Sequence, residues 1–530
     1  MPQPRLLFEN DSRHTLIYMY EPPIEKDEYQ GAVDELLGTP VEALLFNLGY
    51  GNAFLHATQV AHRWGPETPA TEPFRPGGGQ QWDHVVFQRA YRNAAKLIAE
   101  GNDPLRITCE RAVAKGLTVY PSLQVQAALD PQLSLSARGD LPADFPGLEL
   151  ADFAHREIRD QRFALIEEIL HQYPIGGFEL NLNHYAGGLF FHPDQIDAGR
   201  PLLTEWIGRI HAALKQSSPQ RELVLRVPTS LEGCRSIGLD PEEWIRQGIV
   251  DVLAGETFAL MSLLDATADF HPLLKAAQNS TCRVHAVLRN NIDSDRMGSA
   301  TIEMIRAAAC NYWDQGVAGL NLVHWYGNWP YEADFYQQLR EVPHPEVMQV
   351  KDKIYAVPTP ARRFAQDPPT DPGQTLQLPA PLALYAPVRL NLPISDDLPR
   401  WDRVGRIHEV ILRLRLGRSS ERDQLRFVLN DQPLPDHLLR TISHVYMLDA
   451  PRHRSHSSYW FIFKLDRDHW PVKGHNSIEV FLDQRDPEIT PPLDVQDVEL
   501  EIRYLKGKSY YRGRLNTDPD LGPYENSSSM

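Results

Sequence analysis

Eight short apolar runs, separated by stretches with helical periodicity, recur between residues 14 and 340. They read HTLIYMY (14–20), VEALLFNLG (41–49), LTVYPSLQV (117–125), GFELNLN (177–183), LVLRVP (223–228), VDVLAGE (250–256), RVHAVL (283–288) and AGLNLVHWY (318–326). Between them lie segments such as HVVFQRAYRNAAKLIAE, RDQRFALIEEILHQY and TIEMIRAAACNYWDQG, each with Gly or Pro close to its end. Strands that alternate with helices build a parallel sheet with helices packed on it. Eight such units, over a length a little above the roughly 250 residues typical of the fold, predict a (β/α)8 barrel. A doubly wound sheet is the other parallel solution. The segment after the first run reads EPPIEKDEYQ, with no glycine-rich phosphate loop, and so argues against it.

The periodicity changes after residue 355. Residues 356–381, AVPTPARRFAQDPPTDPGQTLQLPAP, are rich in proline and read as a linker. Beyond it come short alternating runs, VILRLRLG (410–417), LRFVLND (425–431), SYWFIFKLD (458–466), SIEVFLD (477–483) and VELEIRYL (498–505), with scarcely any helical stretch. The expected organisation is a barrel over 12–355, a linker over 356–381, a β-sandwich over 382–515 and a disordered tail over 516–530.

Charge and composition narrow the partners. The 53 Lys and Arg against 70 Asp and Glu give a net charge of −17, so no basic field exists to bind nucleic acid or an anionic membrane. No apolar run is long enough to span a bilayer, and the start MPQPRLLFENDSRH shows no signal-peptide pattern, so a cytoplasmic location is expected. The cysteines at 109, 234, 282 and 310 lack CxxC spacing, and neither a disulfide nor a metal site is expected. Nothing in the sequence sets an oligomeric state.

The fourth run carries the chemistry. Period-2 alternation puts Phe178, Leu180 and Leu182 on one face and Glu179, Asn181 and Asn183 on the other, with His184 and Tyr185 following. Polar side chains at C-terminal strand ends of a barrel form the floor of its active site, though a satisfied structural network is the plainer explanation. The other ends supply Glu21, Gln124, Gln126, Glu256, Arg289, Asn290, His324, Trp325 and Trp329. Carboxylates, amides, histidines and indoles together suit a sugar, and no nest or lysine arrangement suits phosphate.

Glycoside hydrolysis needs two carboxyl groups. Glu256 follows VDVLAG directly and is the first candidate, unless it only caps a helix. Glu179 is the second, unless it lies too deep and forms a structural ion pair with Arg226. Glu21 and Asp293 are fallback partners. Trp64, beside His62 and Arg63, reads either as a substrate wall or as a loop anchor. His56, His62, His184 and His192 lack zinc-motif spacing, and no Gly-x-Ser-x-Gly elbow occurs. No cofactor is expected.

Four segments, QVAHRWG (59–65), GFELNLNHY (177–185), LRVPTSLEGCRSIGLD (225–240) and RAAACNYWDQGVAGLNLVHWY (306–326), resemble the uncharacterised family-10-like glycosyl hydrolases. The resemblance covers about residues 14 to 515 and implies a barrel, a C-terminal β-sandwich, and a glycosidase acting on an O-glycosidic bond. That family pattern has Glu-Leu-Asp in the fourth strand, where this chain has Glu179-Leu180-Asn181. An amide cannot exchange a proton at neutral pH. The resemblance then leaves Glu256 and Glu179 as the catalytic pair. Asn181, Asn183, His184, Gln124, Arg226, His324, Trp325 and Trp64 become the residues expected to contact a carbohydrate. A barrel that binds carbohydrate without hydrolysing it is the alternative, and a lyase or isomerase using His184 or His324 as base is a third.

Overall fold

The computed structural model describes residues 5–50, 53–64, 80–127, 130–139, 141, 150–184, 188–257, 263–292, 297, 299–325, 329–359, 376–443 and 458–506. Eight parallel strands close into a barrel: β1 (Leu6–Asn10), β2 (Ala43–Asn47), β3 (Thr118–Gln124), β4 (Gly177–Asn181), β5 (Glu222–Pro228), β6 (Val252–Glu256), β7 (Arg283–Leu288) and β8 (Gly319–Leu322). The ring closes where Leu6, Leu7 and Phe8 pair with Leu320, Asn321 and Leu322.

Strands β2 to β8 fall on the expected runs, with β5 starting one residue earlier at Glu222. The first strand does not. Residues Thr15–Met19 form a wide helical turn, and the strand is LLFEN, ahead of the expected barrel start at residue 12. Leu16 and Ile17 are adjacent and both buried while Tyr18 is 48% exposed, a burial pattern that a period-2 strand cannot produce.

Side chains fill the barrel in layers, as its radius requires. At the N-terminal end the Tyr120 hydroxyl donates to Glu222 at 2.9 Å, Arg283 pairs with Glu222 at 2.6 Å, and His285 bonds Asn321 at 3.0 Å. Two glycines make room for this layer. A Cβ on Gly177 would lie 2.5 Å from the Tyr120 ring, and one on Gly319 would lie 2.6 Å from the His285 ring. Above it Leu7, Leu45, Val224, Val252, Ala254 and Val287 form an apolar plug. Polar residues return only at the C-terminal end, where they cost least if they serve a ligand.

The C-terminal part is a β-sandwich. One antiparallel sheet has the order β9 (Lys353–Ala356), β16 (Asp494–Tyr504), β11 (Ile407–Gly417), β14 (Ser458–Lys464) and β13 (Leu439–Ile442). The other pairs β10 (Val388–Asn391), β15 (Ser477–Gln484) and β12 (Gln424–Leu429). Leu412, Leu414, Phe463 and Leu500 meet Leu390, Phe427 and Val480 between the sheets. Trp460 is buried.

β9 places residues 353–356 in the sandwich sheet, ahead of the proline-rich segment. Residues 360–375 of that segment, and the expected tail, lie outside the described residues. The barrel helix Ile302–Gln315 packs on β9, and Asn311 Nδ2 donates to the carbonyls of Ala266 and Pro393, both at 2.8 Å. No described helix is long and apolar enough to cross a membrane.

Candidate active site at the C-terminal end of the barrel

The alternation in β4 is as expected: Phe178 and Leu180 join the outer core, and Glu179 and Asn181 point inward. Glu179 is 0% exposed. Arg226, one strand over, donates to both its oxygens, Nε to Oε1 at 3.1 Å and Nη2 to Oε2 at 2.8 Å, and the Ser122 hydroxyl donates to Oε2 as well. Arg226 Nη2 also donates to Oε1 of Glu9 at 3.1 Å. The other Glu9 oxygen accepts from the backbone N–H of His324 at 3.0 Å. One guanidinium therefore serves two carboxylates.

That sharing drives their proton affinities apart. Burial raises Glu9, but Arg226, with help from His324 and Arg289, outweighs it and brings the carboxyl down to about 2. For Glu179 burial wins over the same arginine, and the proton affinity goes up. The physical cause is simple: two acids and one cation in a dry interior leave one negative charge too many.

Glu256 ends β6 beside this cluster. Arg289 Nε donates to its Oε1 at 3.0 Å, Nη2 bonds the same oxygen, and Asn183 Nδ2 approaches Oε2 at 3.4 Å. Oε2 is therefore the most weakly engaged carboxylate oxygen of the group. Asn181 Oδ1 accepts from the Asn183 backbone at 3.1 Å and so fixes the turn that presents Asn183. Three amide oxygens here, on Gln124, Asn183 and Asn290, are buried with no hydrogen-bond partner among the described residues. Buried acceptors are seldom left unmet, so these are places for a donor from outside the chain.

His184 and His324 complete the rim. Burial, reinforced by His324 and Arg226, lowers His184 to about 3, and burial with Arg289 lowers His324 to about 4. Both rings are neutral at neutral pH. His324 has φ of 65°, a left-handed conformation that bends the chain at the end of β8.

The structure thus brings Glu256, Glu179, Asn181, Asn183, His184, Gln124, Arg289, Asn290 and His324 to one end of the barrel. It moves others away. Arg226 lies beneath the mouth, 1% exposed, and orients carboxylates instead of facing a ligand. Trp325 is 0% exposed in the outer core, where Nε1 donates to the Leu288 carbonyl at 2.9 Å. Trp64 packs edge-on to Tyr91 with centroids 4.8 Å apart, and anchors its loop. Glu21 follows the helical turn, not a strand, and its exposed carboxylate pairs with Arg89 at 3.0 Å. Gln126 donates to the Gly188 carbonyl at 2.7 Å and Trp329 to Glu35 at 2.9 Å, so both hold loops. Asp293 and Tyr185 lie outside the described residues.

Glu9 is the residue that sequence reasoning missed. Its signal was present: an apolar run ending in a carboxylate, as in the VLAGE of β6. Among the described residues no group of three or more His, Cys, Asp and Glu side chains is arranged to hold a metal ion.

No family model and no curated protein matches the sequence. Solved structures with a similar chain path include α-L-fucosidase isoenzyme 2 from Paenibacillus thiaminolyticus, 13% identical over 67% of this chain and 51% of that one, with a TM-score of 0.40. A chitinase from Paenibacillus sp. str. FPU-7 is 9% identical over 93% and 56% of the two chains, with a TM-score of 0.41. An α-L-fucosidase from Vibrio sp. strain EJY3 is 11% identical over 93% and 96%, with a TM-score of 0.36. The chain spans about half the length of the first two, and likenesses this distant carry no argument about its chemistry.

Proposed function

We propose that the C-terminal end of the barrel binds a carbohydrate and hydrolyses an O-glycosidic bond. The observation that carries this reading is Glu256 with its lightly held oxygen, beside unmet amide acceptors on Asn183 and Gln124. Sugar hydroxyls are the donors such acceptors lack, and a carboxylate among them is where an anomeric carbon would be attacked. Arg289 and Asn183 orient Glu256 as the carboxylate nucleophile or base. Glu179, whose burial raises its hold on a proton, is the candidate acid. Glu9 stays ionised and keeps Arg226 in place. Membership of the family-10-like glycosyl hydrolases belongs to the same proposal.

One feature favours the second reading, a barrel that binds without hydrolysing. Both Glu179 oxygens are taken by Arg226 and Ser122, and Asn181 stands where the pattern of the resembled family has an aspartate. The test is turnover of a panel of aryl glycosides and oligosaccharides, read as released aglycone or reducing ends. The proposal expects hydrolysis by the wild type, and losses of about 10²–10⁴-fold in kcat for Glu256→Gln and for Glu179→Gln. Saturable binding with no turnover favours the second reading. An unsaturated or rearranged product contradicts both.

A further inference from the structure

The two oxygens of the buried Glu9 meet different elements of the barrel. Oε1 accepts from Arg226 Nη2, on β5, at 3.1 Å, and Oε2 accepts from the backbone N–H of His324, just past β8, at 3.0 Å. Both partners are donors. A glutamine could accept from only one of them and would turn an N–H toward the other, so the position calls for a carboxylate. The contact with Arg226 bears on Glu179. The contact with His324 serves something else.

His324 has φ of 65°. A Cβ disfavours that left-handed conformation, and residues held in it cluster at functional sites. On either side of it the chain is tied to Leu288: the Val323 N–H donates to the Leu288 carbonyl at 3.1 Å, and the Trp325 indole donates to the same oxygen at 2.9 Å. Those bonds fix the flanks, while Glu9 holds the turning residue itself by its N–H. The turn sends Trp325 outward and leaves the imidazole inside, where the charges of Arg289, Glu9, Arg226 and Arg13 act on it and where it acts on His184. Glycine would adopt the turn without strain, so a histidine here implies a use for its ring. A neutral imidazole carries one donor and one acceptor, a pair that sugar hydroxyls can meet.

We propose that Glu9 is a positioning residue for the substrate: it holds His324 in the left-handed turn that presents the imidazole to a sugar in the mouth. This rests on the mouth binding carbohydrate and holds whether or not the sugar is hydrolysed. Glu9 then acts along two separable routes, through Arg226 on Glu179 and the chemical step, and through His324 on substrate binding.

The experiment is a double-mutant cycle of Glu9→Gln and His324→Ala on the full chain. It reads KM and kcat for the aryl glycosides that the wild type turns over, or calorimetric Kd for the oligosaccharides that it binds without turnover. Each single variant should raise KM or Kd by about 2–10-fold, the worth of one hydrogen bond. The double variant should raise it no further than His324→Ala alone, and any loss in kcat from Glu9→Gln should persist in the His324→Ala background. Glu9→Asp, which keeps the charge and both acceptors, should recover part of the KM loss and stands in if Glu9→Gln does not fold. Additive losses in KM or Kd overturn the proposal, as does a His324→Ala variant that binds like the wild type. A second arm needs no ligand. His324→Gly should melt about 1–3 °C above His324→Ala, and the Glu9 variant should narrow that gap. Equal melting, or a gap that the Glu9 variant leaves unchanged, overturns the positioning role. A wild type that neither binds nor turns over carbohydrate refutes the reading of the mouth instead, and the melts then decide the turn by themselves.

Discussion

Replacing Arg226 with methionine removes the cation that Glu9 and Glu179 share while roughly keeping its volume. Three hydrogen bonds donated by the charged guanidinium disappear, at 3.1, 2.8 and 3.1 Å. At about 1.5–3 kcal/mol each, their direct loss is about 4.5–9 kcal/mol. The carboxyls can escape part of that cost by taking protons. Moving one carboxyl from its ordinary value of 4.5 to neutral at pH 7 costs about 3.4 kcal/mol. Glu179 is already pushed in that direction by burial, so the expected destabilisation is about 3–7 kcal/mol at pH 7.

The pH dependence separates this mechanism from a simple packing defect. In the wild type Glu9 sits at about 2, below its unfolded value, so its stabilisation is fully present above about pH 4.5 and fades as pH falls toward 2. In the variant both carboxyls bind protons more tightly folded than unfolded, so its stability rises as pH falls from 7 toward 4.5. The gap between the two proteins therefore narrows with acid. Urea unfolding at pH 7.5, 6.5 and 5.5, followed by circular dichroism and fluorescence through the barrel transition, measures it. A loss below about 1 kcal/mol at pH 7.5, or one independent of pH, refutes the shared-cation account.

Two further outcomes follow from the buried polar layers. Asp396 accepts from Lys353 and from the hydroxyls of Tyr355 and Tyr504, so Asp396→Ala leaves a buried ammonium at the domain junction without its carboxylate, held only by backbone carbonyls. Denaturant unfolding should show a loss of about 3–5 kcal/mol or a separate sandwich transition. His285, fully buried at the N-terminal end of the barrel, is lowered to about 3 by burial and by Arg283, against an ordinary 6.5. The unfolded chain binds its proton first, so stability is lost as pH falls from about 6.5 toward 3. His285→Gln should flatten that limb in a thermal-melt series.

Where local pattern and tertiary packing agree, the sequence was a reliable guide. β4 was legible because Phe178 and Leu180 alternate strictly with Glu179 and Asn181, the two-residue period of a strand whose two faces meet different surroundings. β6 was legible because VLAGE ends an apolar run on a carboxylate. β1 was not, because five residues, two of them polar, give too short a period, and the apolar HTLIYMY nearby competes with it. Trp325 was misplaced for a different reason. The positive φ of His324 breaks the two-residue alternation, so the next side chain turns into the outer core. Arg226 could be paired with Glu179 from neighbouring strands, but its second partner depended on finding β1. The domain boundary moved because β9 pairs with β16, about 140 residues later, a contact that no local periodicity reports.

The central claim is that Glu256 meets the reacting centre of a bound sugar. A crystal structure of Glu256→Gln with an oligosaccharide substrate tests it most directly. The account predicts a pyranose ring in the barrel mouth, its hydroxyls donating to Asn183 and Gln124, with the position 256 side chain about 3–3.5 Å from the anomeric carbon. A ring bound in the mouth with that side chain beyond contact of the anomeric carbon, or a sugar seated only outside the mouth, contradicts it.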